Sequence, residues 1–172
     1  MQVDISSIRY HIGASFKVNM AESWLPFMWS GEKIEFGQPV NVELEFINTG
    51  ELLLVQGQIK TVLIVACSRC LEPVDLVLEV PFVMGYWDTE KQDATASDGE
   101  EIEVRLFSGD VIDLAPDIEE TILLALPMKC LCSPYCRGLC PQCGQNLNVG
   151  SCTCHEEKID PRLAVLRDFI KN

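Results

Sequence analysis

Seven of the nine cysteines fall within the 25 residues from Cys130 to Cys154, which read CLCSPYCRGLCPQCGQNLNVGSCTC. Clustered thiolates hold tetrahedral metal ions, and Cys140-Pro141-Gln142-Cys143-Gly144 has the form of a zinc knuckle. Two sulfurs three positions apart grip one ion, and the glycine after the second lets backbone amides turn toward sulfur. Around this knuckle lie Cys130, Cys132, Cys136, Cys152 and Cys154. A second pair in the same spacing, Cys67-Ser68-Arg69-Cys70, stands alone 70 residues or more before it.

Eight of these sulfurs fill two four-cysteine sites with one left over; a single site leaves five free thiols. Cys140 and Cys143 are the firmest ligands, with Cys136 and Cys154 their most natural partners because they bracket the knuckle. Cys67 and Cys70 join Cys132 or Cys152, or pair without metal. Cys130 is the expected spare, since Cys132 alone serves at that end. His155 adjoins Cys154 and can replace a sulfur; His11 has no such context and reads as structural or exposed.

The physical reason for one or two structural zinc ions is stability. Residues 128–157 offer only Met128, Leu131, Tyr135, Leu139, Leu147 and Val149 as large apolar groups, too few for a core of their own. Metal binding supplies folding energy on the order of 10 kcal/mol at a structural site. A site closed by four thiolates has no open position for water, so catalysis is not its expected role. Ser–His–acid order, Walker loop and dinucleotide glycine pattern are all missing from the sequence, and two histidines give acid–base chemistry little to work with. The expectation is a protein that is not an enzyme.

The elements that must position these sulfurs are mostly strands. Val40, Val42, Leu44 and Phe46 alternate with Asn41, Glu43 and Glu45, giving one apolar and one polar face. Leu52–Val55 and Ile59–Val65 read as two buried strands. Val74, Leu76, Leu78, Val80 and Phe82 alternate again, so Cys67 and Cys70 fall on a connection between strands. Ile102, Val104 and Leu106 suggest a return to the sheet. Before residue 32 the pattern is weak: Val3 and Ile5 suit a short strand, and Trp24, Phe27 and Trp29 read as aromatics tucked at a domain edge in a loop.

Pro116 to Leu126 is the expected helix. Proline suits the first turn, Asp117, Glu119 and Glu120 complement the dipole, and Ile118, Ile122 and Leu126 form an apolar stripe. A second helix is expected from Pro161, capped by Asp160, with Leu163, Leu166 and Ile170 on one face. Asp88 to Glu103 carries seven acidic residues against Lys91 and reads as a flexible solvated loop. No internal repeat stands out.

These elements predict a β-rich α+β fold. A twisted antiparallel sheet or partly closed barrel runs from about residue 32 to 107, with the 116–126 helix packed on it and a C-terminal zinc-stapled segment. Residues 1–127 form the main domain, with 88–101 as its acidic loop, and 128–172 form the cysteine-rich tail with its terminal helix.

The formal net charge of −13 disfavours a simple nucleic-acid binder. It is uneven: residues 1–126 hold 7 Lys/Arg against 22 Asp/Glu, and residues 127–172 hold 6 against 4. Zinc with four thiolates adds −2 relative to neutral thiols, so the metallated tail carries no strong basic patch. The opening residues lack an apolar signal region, and the longest apolar run, Val62–Cys67, is too short to span a bilayer. The expectation is a cytoplasmic protein whose clustered cysteines are metal ligands or redox groups.

The chain resembles the YceD family on five stretches: CSRCLEPV at 67–74, the acidic loop, FSGDVIDLAPDIEETILLALPMK at 107–129, CRGLCPQCGQNLN at 136–148 and IDPRLAVL at 159–166. The resemblance implies a cytoplasmic ribosome-biogenesis factor needed for 23S rRNA accumulation or large-subunit assembly. The expected partners are a large-subunit precursor and 23S rRNA, and the acidic strand faces and loop add a basic ribosomal protein; no membrane and no small-molecule substrate are expected. It implies no catalytic residue. Two rivals from the residues themselves are a zinc-thiol redox switch and a structural adaptor that binds a ribosomal protein without touching RNA. A thioredoxin-like oxidoreductase lacks its βαβ setting.

Overall fold

The longest alternating runs of apolar residues form the centre of the fold. The computed structural model describes residues 1–29, 31–90 and 102–154. In chain order the elements are β1 (Gln2–Asp4), α1 (Ser6–Arg9), β2 (Ser15–Glu22), β3 (Phe27–Trp29), β4 (Glu32–Phe36) and β5 (Val40–Asn48). There follow β6 (Leu53–Ala66), β7 (Pro73–Asp88), β8 (Val104–Phe107), β9 (Val111–Asp113) and α2 (Ala115–Leu124).

β6 and β7 make one long antiparallel hairpin, in register from Leu53↔Tyr86 to Ala66↔Pro73. β5 lies on the other side of β6, and β2 lies beyond β5. Further along β6, the β3–β4 hairpin takes over the place of β5. The seven-stranded sheet is open, not a barrel. One face is apolar: Val40, Val42, Leu44 and Phe46 of β5, Val55, Ile59 and Leu63 of β6, and Phe82 and Met84 of β7 are all buried. α1, α2 and the small β1–β9 pair complete the core through Ile5, Ile8, Ile112, Leu114, Ile118 and Ile122.

Several sequence expectations change. The two strands expected at 52–55 and 59–65 are one, because Gly57 stays in register opposite Leu44. A Cβ on Gly57 would lie 2.0 Å from the Glu43 carbonyl oxygen, so only glycine allows β5 and β6 to meet there. The sheet begins at Ser15, not near residue 32: Phe16, Val18 and Met20 do alternate, and the ring of Phe16 stacks on Phe46 at 5.1 Å. The aromatic segment is strand, not loop, where Phe27 pairs opposite Ile34. Trp24 and Phe27 pack on Phe36, whereas Trp29 is exposed. β8 joins β7 in parallel, so the sheet is not wholly antiparallel.

The helix α2 presents Ile118 and Ile122 to the core as expected, and Leu126 packs against it just beyond the helix end. Asp88, expected in the solvated loop, and Asp117, expected to complement the helix dipole, are both buried. Asp88 ends β7 in an ion pair with Arg9, and Asp117 accepts hydrogen bonds from Tyr86 and Arg105. Residues 91–101 of the acidic loop, His155 and the expected helix from Pro161 lie outside the described residues. No helix among the described residues is long and apolar enough to cross a membrane.

Candidate metal centres

The β6–β7 hairpin holds Cys67 and Cys70 at its turn. The Cys67 N–H donates to the Glu72 carbonyl at 2.8 Å, and the Leu71 N–H donates back to the Cys67 carbonyl at 2.9 Å. The later knuckle repeats this pattern. Cys140 N–H donates to the Gln145 carbonyl at 2.8 Å, and Gly144 N–H to the Cys140 carbonyl at 2.9 Å. Both closing residues, Leu71 at φ 62° and Gly144 at φ 74°, are left-handed. The chain therefore does contain an internal repeat, a five-residue turn used twice, and Leu71 stands where the second copy has the glycine that such a turn prefers.

Each knuckle has gathered a second pair of sulfurs. Cys67, Cys70, Cys132 and Cys136 form one cluster, and Cys140, Cys143, Cys152 and Cys154 form another; within each, all four sulfurs lie within 4.8 Å of one another. Cys154 lies with Cys140 and Cys143, as the bracketing argument expects. Cys136 does not: it lies with the distant hairpin, because the Arg69 guanidinium donates to its carbonyl at 2.8 Å and the Arg69 carbonyl accepts from Leu139 at 3.1 Å. Gly138 makes this approach possible, since a Cβ there would sit 3.0 Å from the Arg69 oxygen. Of the two partners open to Cys67 and Cys70, Cys132 is the neighbour and Cys152 is not. Cys130 is outside both clusters and packs against the hydrophobic core.

The donor sets suit a tetrahedral ion. Cys67 and Cys136 sulfurs are 3.8 Å apart, and Cys70 and Cys132 sulfurs 3.6 Å. Four sulfurs about 2.3 Å from a zinc ion are separated by about 3.8 Å along each tetrahedral edge. A disulfide would need about 2.05 Å.

Electrostatics point the same way. The N–H groups of Cys132, Arg69 and Cys70 are directed at the Cys67 sulfur and hold its thiol down to about 6. The N–H groups of Cys143 and Gln142 do the same for Cys140, also to about 6. In each cluster another thiol is driven the opposite way. Cys132 is pushed up to about 12 by the neighbouring Cys136 and Cys70 sulfurs, and Cys154 to about 12 by Cys143. Four sulfurs this close cannot all ionise unless a cation sits among them. Such a closed four-sulfur centre staples chain segments together and leaves no coordination position for a substrate.

Sequence patterns pointed to the sulfurs but missed their polar supports. Asn148 Nδ2 donates to the Cys136 sulfur at 3.2 Å, and its Oδ1 accepts from the Arg137 N–H at 2.7 Å. Asn146 Nδ2 reaches Glu72 Oε1 at 3.3 Å. Their only sequence signal was a polar QNLN run where apolar residues were scarce.

A family model described as "Large ribosomal RNA subunit accumulation protein YceD" matches residues 55–170. The chain belongs to the YceD family. An uncharacterised protein of Mycobacterium tuberculosis is 32% identical over 173 residues, covering 99% of this chain and 81% of its own. The uncharacterised protein YlbN of Bacillus subtilis is 31% identical over 135 residues, 76% of this chain and 67% of YlbN. A chloroplastic protein of Arabidopsis thaliana, named large ribosomal RNA subunit accumulation protein YCED homolog 1, is 29% identical over 148 residues, 72% of this chain and 46% of its own. No solved structure matches the chain.

Proposed function

We propose that this YceD-family chain is a non-enzymatic factor in maturation of the large ribosomal subunit, stapled by two structural zinc ions. The observation that carries the reading is the family match itself: it runs over residues 55–170 and so takes in all eight clustered cysteines, under a description that names large-subunit rRNA accumulation. One ion is held by Cys67, Cys70, Cys132 and Cys136, and the other by Cys140, Cys143, Cys152 and Cys154. When bound, zinc supplies cross-linking and charge neutralisation; the chain's amides orient the sulfurs.

The partner is the large-subunit precursor in the cytoplasm, met first through a basic ribosomal protein. Glu43 and Asp75 stand exposed on the outer face of the sheet, beside the Lys60–Glu79 ion pair, and this favours a cationic partner over bare RNA at that face. The tail then lies near 23S rRNA. The test is sedimentation of the tagged chain from a cell lysate, with the rRNA profile after its depletion. Comigration with immature large subunits and a fall in 23S rRNA are expected. Migration only as free protein, with normal rRNA, would overturn the reading.

A further inference from the structure

The two sulfur clusters are adjacent in sequence, and a side chain from one reaches the other. Asn148 belongs to the eight-residue connection between Cys143 and Cys152, both members of the second cluster. Its side chain touches the first, donating from Nδ2 to the Cys136 sulfur at 3.2 Å. The same amide turns its oxygen to the Arg137 N–H at 2.7 Å, so it grips both the sulfur and the backbone just after it. Leu139 pairs with Asn146 in an isolated bridge, and Leu147 N–H donates to the Gly138 carbonyl at 2.9 Å.

The connection is held by hydrogen bonds rather than by packing: besides these, the Gln145 carbonyl accepts from the Cys140 N–H at 2.8 Å and Asn146 Nδ2 donates to Glu72 at 3.3 Å. Gly144, Gln145, Asn148, Val149 and Ser151 are exposed, and the described residues from 141 to 151 contribute nothing buried. Its two ends meet where Cys143 and Cys152 converge, and beside them Gln145 Nε2 donates to the Ser151 carbonyl at 3.4 Å. An ion shared by those sulfurs would order the connection and present the Asn148 amide to Cys136. An N–H directed at a metal-bound thiolate strengthens the site by offsetting its excess negative charge.

We infer that Asn148 couples the two centres, so that an ion in the second site tightens ion binding in the first. This rests on the zinc reading above. By linkage the effect is reciprocal, and an ion in the first site favours loading of the second by the same factor. The chain then has a positively cooperative pair of centres rather than two independent staples. Asn148 is a positioning residue: it reaches the ion only through sulfur.

The test is a zinc titration of the full chain in competition with a chromophoric chelator, repeated with cobalt to read the thiolate absorption bands. Five proteins are compared: the unaltered chain, Asn148→Ala, Asn148→Asp, Cys143→Ser/Cys154→Ser, and the last combined with Asn148→Ala. Asn148 is exposed, so its replacement leaves the fold intact, and a far-ultraviolet circular dichroism spectrum checks this. In the chain with both sites intact, Asn148→Ala should weaken the first site about tenfold, in the range for a lost support of a metal ligand. With the second site disabled, the first should already be about tenfold weaker, and Asn148→Ala should add little. Asn148→Asp, which keeps the acceptor for Arg137 and loses the donor, should weaken the first site at least as much as alanine. Equal loss on Asn148→Ala in both backgrounds, or no loss in either, would overturn the coupling. Failure of the unaltered chain to bind zinc would instead defeat the zinc reading.

Discussion

The sulfurs of Cys67 and Cys136 stand 3.8 Å apart although 69 positions separate the two residues. That contact ties the turn of the long hairpin to the chain beyond α2, and it divides eight cysteines into two sets that interleave neither in space nor in role. Replacing one cysteine of a set should therefore remove one ion and spare the other. Cys67→Ser and Cys143→Ser should each retain one zinc, at different sites, whereas Cys130→Ser should retain two. Elemental analysis of the three variants makes the check, and a lost ion in Cys130→Ser would contradict the partition.

Gly57 sits where β6 lies hard against the β5 backbone. Alanine there would bring its Cβ to 2.0 Å from the Glu43 carbonyl oxygen, a contact that only backbone movement relieves. The expected cost is about 3 kcal/mol, at the upper end of overpacking penalties. Urea unfolding of Gly57→Ala, beside Gln58→Ala at the exposed neighbouring position, would measure it. Equal midpoints for the two would count against a close strand crossing.

Arg9 is buried under three carboxylates. Its guanidinium donates to Asp88 at 2.8 and 2.9 Å, to Asp110 at 2.9 Å and to Glu90 at 2.8 Å. The Arg9 and Asp88 side chains are each only 4% exposed. Arg9→Met leaves the Asp88 carboxylate buried without its cation and should cost about 3–5 kcal/mol. Arg9→Met/Asp88→Leu should recover much of that loss, since it removes both charges. A double variant no more stable than the single one would show that the pair itself, and not the stranded charge, sets the stability.

Tyr86 donates to the Asp117 carboxylate inside the fold. Burial, and the negative charge of Asp117, raise its pKa far above the ordinary phenol value of 10.0. The folded state favours the neutral phenol, so this stabilisation is whole below pH 10 and declines as pH rises above it. At pH 8, Tyr86→Phe should cost about 1–2 kcal/mol, because the carboxylate loses its donor. Chemical unfolding between pH 8 and 11 should show the gap between the two proteins narrowing above pH 10. A gap independent of pH would contradict this role.

Strand positions were legible wherever one face is buried and the other wet, as in β5 and β7, because the alternation of Val42, Leu44 and Phe46 admits one register. The same alternation in β2 was present but shorter and bounded by weak punctuation, so Phe16 and Val18 went unread. Gly57 looked like a break and is instead a close contact, a distinction that depends on the neighbouring strand. The buried state of Asp88 and Asp117 was hidden for a similar reason: it depends on Arg9, Tyr86 and Arg105, none of them local in sequence. Of the metal centres, the eight cysteines were legible by type and spacing. Their division was not, since Cys136 is closer in sequence to Cys140 than to Cys67, and it is contacts distant in sequence, from Arg69 to Cys136 and Leu139 and from Ser68 to Cys130, that carry it to the hairpin.

The claim on which the rest depends is that the eight sulfurs hold two closed zinc centres. Native mass spectrometry of the full chain, purified without chelator or added metal, tests it most directly. Two zinc ions per chain and nine unoxidised cysteines after denaturation are expected. A chain carrying no zinc, a single zinc, or iron in its place would contradict it, as would disulfides joining the cysteines within either cluster.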